Sequence, residues 1–263
     1  MAGAERSELL GLEFERSRAT AIVERCLTWC DGPRVTHIIL TANASHLCLM
    51  RRDPSFREAC RAADMVVADG MSVVWALRLL GRPVPERVAG IDLMTALLAA
   101  GSTAGLRVYF LGATTGIVEA LVAHCRRRFP GLVVVGSRSG YFTSDDHEAI
   151  VEGVHASRPH FLFVGMPSPM KDLFCQRYRD RIQVPVVMGV GGSFDVLAGF
   201  IRRAPRVLQV TGLEWAWRLM MEPRKLWKRY LTTNGEFIWL VFREVLRGRS
   251  GPERPQGSRE WGE

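Results

Sequence analysis

Two short apolar runs that each stop at a small polar residue constrain this chain more than any other feature. Val35 to Leu40 leads into Thr41-Ala42-Asn43, and Met65-Val66-Val67-Ala68 leads into Asp69-Gly70. About one helix's worth of largely polar and basic residues lies between them. Runs of this length, each ended by a turn residue, read as buried strands of a parallel sheet. Ligands of such sheets bind just outside the carboxyl ends of the strands, which gathers Thr41, Asn43 and Asp69 at one crevice.

The same alternation continues to about residue 200. Strands are expected at Arg107–Gly112, Leu132–Val135, His160–Val164 and Pro185–Val190. Helices are expected at Arg18–Trp29, Met71–Leu80, from Asp92 to Gly101, from Gly116 to Phe129, from Thr143, along a basic edge with Lys171, Arg177, Arg179 and Arg181, and briefly from Gly191. Ser45 and Asp53 are expected to cap two short helices, with Pro54 in the first turn of the second, and Asp92 to cap a third. Residues 1–17 read as a polar lead-in. The pattern predicts an α/β sandwich with a mostly parallel sheet. After Ala204-Pro205 the chain turns helical, basic and rich in Trp, so residues 1–205 are expected to form the α/β domain and 206–247 a helical appendage. Residues 248–263 lack periodicity and are expected to be disordered.

Charge and cysteine content narrow the function classes. The net charge of +8 and pI near 9.6 imply an anionic partner: a phosphorylated ligand, nucleic acid or a membrane surface. The six cysteines show no zinc-finger pairing and read as small buried hydrophobes. The first 24 residues carry charge throughout and lack the apolar core of a signal peptide. The longest apolar runs fall short of the roughly 20 residues that span a bilayer. A protein on the cytosolic side, soluble or peripheral, is expected.

Several constellations could carry chemistry, each with a plainer alternative. Gly112-Ala-Thr-Thr-Gly116 could present amides to a phosphate at a helix start, or simply make a tight turn. Gly189-Val-Gly191-Gly192 with Asp195 could hold a ribose, or serve its own helix. Asp69 could be a general base facing the crevice, or the N-cap of the next helix, which spacing alone favours. Arg87, in a proline-braced loop, could grip a diphosphate or merely be solvated. His124, His147, His155 and His160 share no spacing and read as structural or surface. No Asp-x-Asp pair suited to a divalent metal stands at a strand end, and no Gly-x-Ser-x-Gly element supports Ser/His/Asp hydrolysis. Phe237-Ile-Trp-Leu-Val-Phe242 is too apolar for an exposed nucleic-acid face. It suits a membrane interface, or a helix packed on the domain.

An ordered set of motifs then carries a resemblance over about Val35 to Leu246. These are Thr41-Ala-Asn43, Val67-Ala-Asp69-Gly70, Arg87-Val-Ala-Gly90-Ile-Asp92, Phe110-Leu-Gly112, Gly140-Tyr141-Phe142 and Gly189-Val-Gly-Gly-Ser-Phe-Asp195. Arg203-Ala-Pro205, Gly212-Leu-Glu-Trp215 with Arg218, Glu222-Pro-Arg224 and Arg229-Tyr230 complete the set. The chain resembles the WecG/TagA/CpsF glycosyltransferases, glycosyltransferase family 26. The resemblance implies a Rossmann-like, mostly parallel sheet flanked by helices, of the GT-E type, with a C-terminal helical appendage. It implies an inverting, UDP-sugar-dependent transferase of hexosyl or N-acetylhexosaminyl groups. The acceptor would be a polyprenyl-diphosphate-linked saccharide, in cell-surface polysaccharide synthesis at the inner face of the cytoplasmic membrane. No cofactor, metal or nucleic acid is implied, and a homo-oligomer is compatible.

By the same resemblance Asp69 becomes the catalytic base, with Thr41 and Asn43 lining its pocket and Arg87 acting on the sugar nucleotide. Tyr141 and Asp195 fall where the family contacts the nucleoside, and the glycine turns leave Gly112 and Gly191 as further substrate-binding candidates. Arg218, Arg224 and Arg229 of the appendage would meet the diphosphate. One departure stands out. Where many members carry Gly-x-Pro-Lys-Gln-Glu, this chain has Gly165-Met-Pro-Ser-Pro-Met-Lys171-Asp172, which places Lys171 at the Gln position with one residue inserted. A cation there leaves the donor open among N-acetylmannosamine, its uronic acid and a hexose. It is also the sole support for a second reading, a catalytically inactive nucleotide-binding or membrane-scaffolding homologue.

Overall fold

The computed structural model describes residues 5–221 and 223–249. The chain opens with a hairpin, β1 (Arg6–Leu9) and β2 (Leu12–Glu15), where the sequence reads as a polar lead-in. Leu9, Leu12 and Phe14 are buried, and the turn between the strands has positive φ at both Leu10 (52°) and Gly11 (80°). Two such residues form the tight connection whose twist matches paired strands. Leucine in the first of them hides the turn from a reader of the sequence.

Alternation of strands and helices follows. Helix α1 (Ala19–Asp31) leads to β3 (His37–Ala42), α2 (Ala44–Arg52), α3 (Pro54–Arg61), β4 (Met65–Ala68), α4 (Met71–Leu79) and α5 (Gly90–Thr103). Then come β5 (Arg107–Gly112), α6 (Thr115–Arg128), β6 (Val133–Arg138), a 3-10 turn at Ser144–Asp146 and α7 (His147–Ala156). β7 (Phe161–Gly165), α8 (Met170–Arg177), α9 (Arg179–Ile182), β8 (Val186–Gly189) and α10 (Ser193–Leu197) complete the alternating part. The last helices are α11 (Arg206–Val210), α12 (Glu214–Met221) and α13 (Pro223–Arg249). The expected disordered tail, from residue 250 on, lies outside the described residues.

β3 to β8 form one sheet in the order β4-β3-β8-β7-β5-β6, with every pairing parallel. Both faces are covered, as parallel sheets require. On one face Ile39, Val67, Phe110 and Phe163 pack with Ile22 of α1, Leu97 of α5 and Leu121 of α6. On the other, Leu162, Val164 and Val187 pack with Val154 of α7 and Phe174 of α8. Leu40 and Val66 share that second face with Phe14, Leu47 of α2, Phe56 of α3 and Val73 of α4. Phe237, Leu240 and Val241 of α13 are buried in this same cluster, so the long last helix is seated on α2 beside the sheet. The fold is therefore α/β and Rossmann-like, with helices at its C-terminal end.

Three local expectations need correction. Asn43, not Ser45, caps α2: its side-chain oxygen accepts the Ser45 N–H at 3.0 Å. Helix α5 begins at Gly90, two residues before Asp92, and the Asp92 carboxylate is held by both Arg203 guanidinium nitrogens at 2.7 and 2.6 Å. Lys171 is not on an exposed basic edge; only 3% of it is accessible. Asp53 does cap α3, accepting the Phe56 N–H at 3.0 Å, with Pro54 in the first turn. All six cysteines are free and five are buried; burial pushes the Cys26, Cys125 and Cys175 thiols up to about 12.

Candidate active site

The strands order the site. β3 continues to β4 on one side, while β8 belongs with β7, β5 and β6 on the other, so their carboxyl ends diverge into a crevice. Thr41, at the end of β3, donates from its hydroxyl to the Gly189 carbonyl of β8 at 3.0 Å and closes the sheet side of that crevice. A cavity of about 690 Å3 opens there. Thr41, Asn43, Asp69 and Arg87 line it from the sheet side, Gly192 from the loop after β8, and Arg203, Glu214 and Arg218 from the C-terminal segment.

Asp69 does not cap its own helix: α4 has Gly70 at its N-cap with no side-chain bond. Its Oδ1 instead accepts the Gly90 N–H at 2.7 Å, the first amide of α5. The end of β4 is thereby tied to the start of a helix 21 residues later. Loss of water around Asp69 raises its carboxyl above the ordinary aspartate range, against the lowering pull of the Gly90 N–H, Arg87 and Arg218. Glu214 adds to the rise. The side chain nevertheless keeps partial access to the cavity. Burial of this kind makes a carboxylate hold its proton to higher pH than it does in water.

Cations surround the carboxylate, and two arrive from the C-terminal segment. Arg87 donates to the Glu214 carboxylate at 2.8 Å and reaches the Gln209 carbonyl at 3.4 Å, which fastens the loop before α5 to α11 and α12. Arg218 lies against Gly192: a Cβ there would come within 2.8 Å of a guanidinium nitrogen and 3.9 Å of the Asp195 carboxylate. Glycine at 192 thus leaves the space that Arg218 and Asp195 flank. On its outer side the cavity becomes apolar, with Trp75 and Leu79 of α4 facing Ile238 and Phe242 of α13, all more than 45% accessible.

The remaining candidates fall elsewhere. Gly191 (φ 52°) precedes Gly192 in the same loop. Gly112 ends β5 with its Cα against the Gly165 backbone, where any Cβ would clash at 2.5 Å, and Tyr141 projects into solvent beyond that corner, 81% accessible. Neither lines the cavity. Arg224 is exposed at the start of α13, away from the cavity wall, and the Arg229 side chain and Glu222 lie outside the described residues. Lys171 is not brought to the wall either. Its ammonium is held by Asp172 at 2.5 Å and Ser168 at 2.8 Å, behind Asn43.

Two participants escape sequence reading. Glu214 was visible only within a motif, and its pairing with Arg87 spans 127 residues. His46 joins the site from behind, through contacts to Asn43 and Ser168 at 3.1 Å each. A histidine three residues after a capping Asn was the one available signal.

Residues 7–251 match the family described as Glycosyl transferase WecG/TagA/CpsF. A protein of Bacillus spizizenii (strain ATCC 23059 / NRRL B-14472 / W23), named N-acetylglucosaminyldiphosphoundecaprenol N-acetyl-beta-D-mannosaminyltransferase, is 32% identical over 221 residues. That alignment covers 84% of this chain and 85% of the relative.

Proposed function

The chain belongs to the glycosyl transferase WecG/TagA/CpsF family, and from that premise we propose an inverting transfer of one sugar from a UDP-sugar to a polyprenyl-diphosphate-linked saccharide. The observation that carries the reading is a partly exposed carboxylate, Asp69, sharing one cavity with Arg87 and Arg218, while Glu214, the other carboxylate of that wall, is paired to Arg87. The B. spizizenii relative, whose name gives a diphosphoundecaprenol-linked acceptor and an N-acetylmannosaminyl group, supports the substrate class.

The acceptor hydroxyl attacks the anomeric carbon on the side opposite UDP. Its proton passes to Asp69 as the new C–O bond forms, and the bond from the anomeric carbon to the diphosphate oxygen breaks with its electron pair going to UDP. Oδ1 is engaged by Gly90, so Oδ2 is the oxygen that takes the proton. The leaving diphosphate gathers negative charge, which preorganised cations stabilise most where water is scarce. Arg218 and Arg87 are the candidates in place, with Arg87 exchanging Glu214 for the diphosphate. The nucleoside extends past Gly191 toward Asp195, with Gly112 and Tyr141 beyond, and Arg224, outside the cavity wall at the start of α13, is the further candidate for the diphosphate.

The apolar outer side of the cavity suits the first isoprene units of the acceptor. The exposed stripe Ile238, Trp239, Phe242 and Leu246 of α13, with Arg243 stacked 4.5 Å over Trp239, suits the surface of an anionic leaflet. We place the protein on that surface, at the inner face of the cell membrane. No described helix is long and apolar enough to cross a bilayer.

The decisive assay incubates UDP-N-acetylmannosamine, its uronic acid and UDP-hexoses with a prenyl-diphosphate-sugar acceptor and reads the product by mass spectrometry. One donor is expected to extend the acceptor by a single sugar with release of UDP. Asp69→Asn is expected to lower the rate by at least about a thousandfold while UDP still binds. Binding of UDP with no transfer from any donor would instead favour the inactive homologue.

A further inference from the structure

Two carboxylates line the cavity among the described residues, and only Asp69 has a place in the transfer chemistry. The other, Glu214, opens α12 and takes the Arg87 guanidinium at 2.8 Å. Of the glutamate side chain 24% is accessible, and of the arginine 13%. Glu214 stands among cations. Arg218 lies one turn further along α12. Its negative charge also reaches Arg203 and Asp69, steadying the first as a cation and opposing ionisation of the second.

A diphosphate that enters this cavity meets an acid already seated on one of the guanidinium groups it needs. By count Arg87 could serve both, since a guanidinium carries five N–H groups. Sharing them would set a carboxylate and a phosphate oxygen side by side where water is scarce, and like charges repel strongly there. One anion therefore leaves. Arg87 is the braced partner, because its Nη1 also reaches the Gln209 carbonyl at 3.4 Å. Glu214 is the more accessible of the two and has the way out. Its departure does not detach the C-terminal segment. Arg203, ahead of α11, is still held by both oxygens of Asp92 on α5, at 2.7 and 2.6 Å.

We propose that Glu214 is an internal competitor for the diphosphate of the sugar nucleotide: it occupies Arg87 in the empty enzyme, yields it as the donor enters and takes it back as UDP leaves. Affinity for UDP is then lower than the cations alone would give, in proportion to the fraction of molecules whose Arg87 is unpaired. The same acid stands ready to displace the nucleotide once the sugar has gone. This deepens the function proposed above and takes the identity of the ligand from it.

Calorimetric titration with UDP tests the exchange without turnover. Glu214→Gln keeps the shape of the side chain and removes its charge. It is expected to lower Kd for UDP about tenfold. Glu214→Ala, which leaves Arg87 no acceptor at all, is expected to act in the same direction. In an Arg87→Ala background, Glu214→Gln is expected to change Kd by less than about twofold, because nothing is left to compete for. An unchanged or higher Kd in both single variants overturns the proposal, since Glu214 would then only brace the loop. A tenfold gain that persists without Arg87 overturns it as well, because removal of one negative charge from the cavity would account for it. UDP bound alike by the unaltered protein and both variants sinks the exchange and leaves the proposed function standing. UDP bound by none of them sinks both.

Discussion

Asp69 answers two demands with one carboxylate. Oδ1 holds the start of α5, and the residue lines the cavity. Its raised proton affinity comes first from lost hydration, so the ionised form costs the folded state free energy. The sign follows. The folded carboxyl keeps its proton to higher pH than the unfolded one, so its contribution to stability is complete below the ordinary aspartate range and is lost as pH rises through the folded value. Asp69→Asn keeps an acceptor for Gly90 and removes the charge. It is expected to raise the melting temperature at pH 7.5 and to leave it unchanged at about pH 4, by thermal denaturation at both values. In the unaltered enzyme the acid limb of kcat/KM is expected above the usual carboxylate range. None of this was legible from spacing, which favours a cap at a strand end. The amide that settles the matter lies in another loop, and the cations come from separate segments. Lys171 is a different case: its partners Ser168 and Asp172 are close in sequence, and what sequence does not show is that packing of α8 against β8 buries the Lys171–Asp172 pair.

At the scale of elements, the sequence told most where burial is two-sided. β3, β4, β5, β7 and β8 are read within a residue or two because strands buried on both faces are unbroken apolar runs. The N-terminal hairpin is the opposite case. β1, Arg6-Ser7-Glu8-Leu9, holds one apolar residue, β2 alternates apolar with charged residues over four positions, and the turn carries leucine where Asn or Gly would signal it. Yet Phe14 is wholly buried against Leu40 and Phe56. Phe14→Ala is expected to destabilise the fold by about 3–5 kcal/mol, measured by urea denaturation. A loss below about 1 kcal/mol would mean that the hairpin is not part of the core. Helix α13 shows a third situation. Its pattern gives a helix, while tertiary packing decides which edge, Phe237, Leu240 and Val241, enters the core.

Taken whole, the molecule sets its apolar exposure and the cavity arginines at the same opening. Leu79 of α4 and Ile238 and Phe242 of α13 come from opposite ends of the chain to one place. The excess of positive charge, +8 overall, favours an anionic surface as a partner. Replacing Ile238 and Phe242 together by Asp is expected to reduce co-sedimentation with phosphatidylglycerol vesicles by at least about tenfold. Transfer to a long-chain prenyl acceptor should fall with it, while transfer to a short, water-soluble analogue is retained. Equal loss on both acceptors would assign these side chains to the fold instead. The position of that greasy margin has a consequence for turnover. In the proposed reaction an acceptor anchored there by its tail gains a sugar only at the far end, so the tail would grip the finished product as firmly as it gripped the starting lipid. Exchange of one for the other would then be driven from the head, by a saccharide grown too long for the cavity of about 690 Å3 that admitted its shorter precursor.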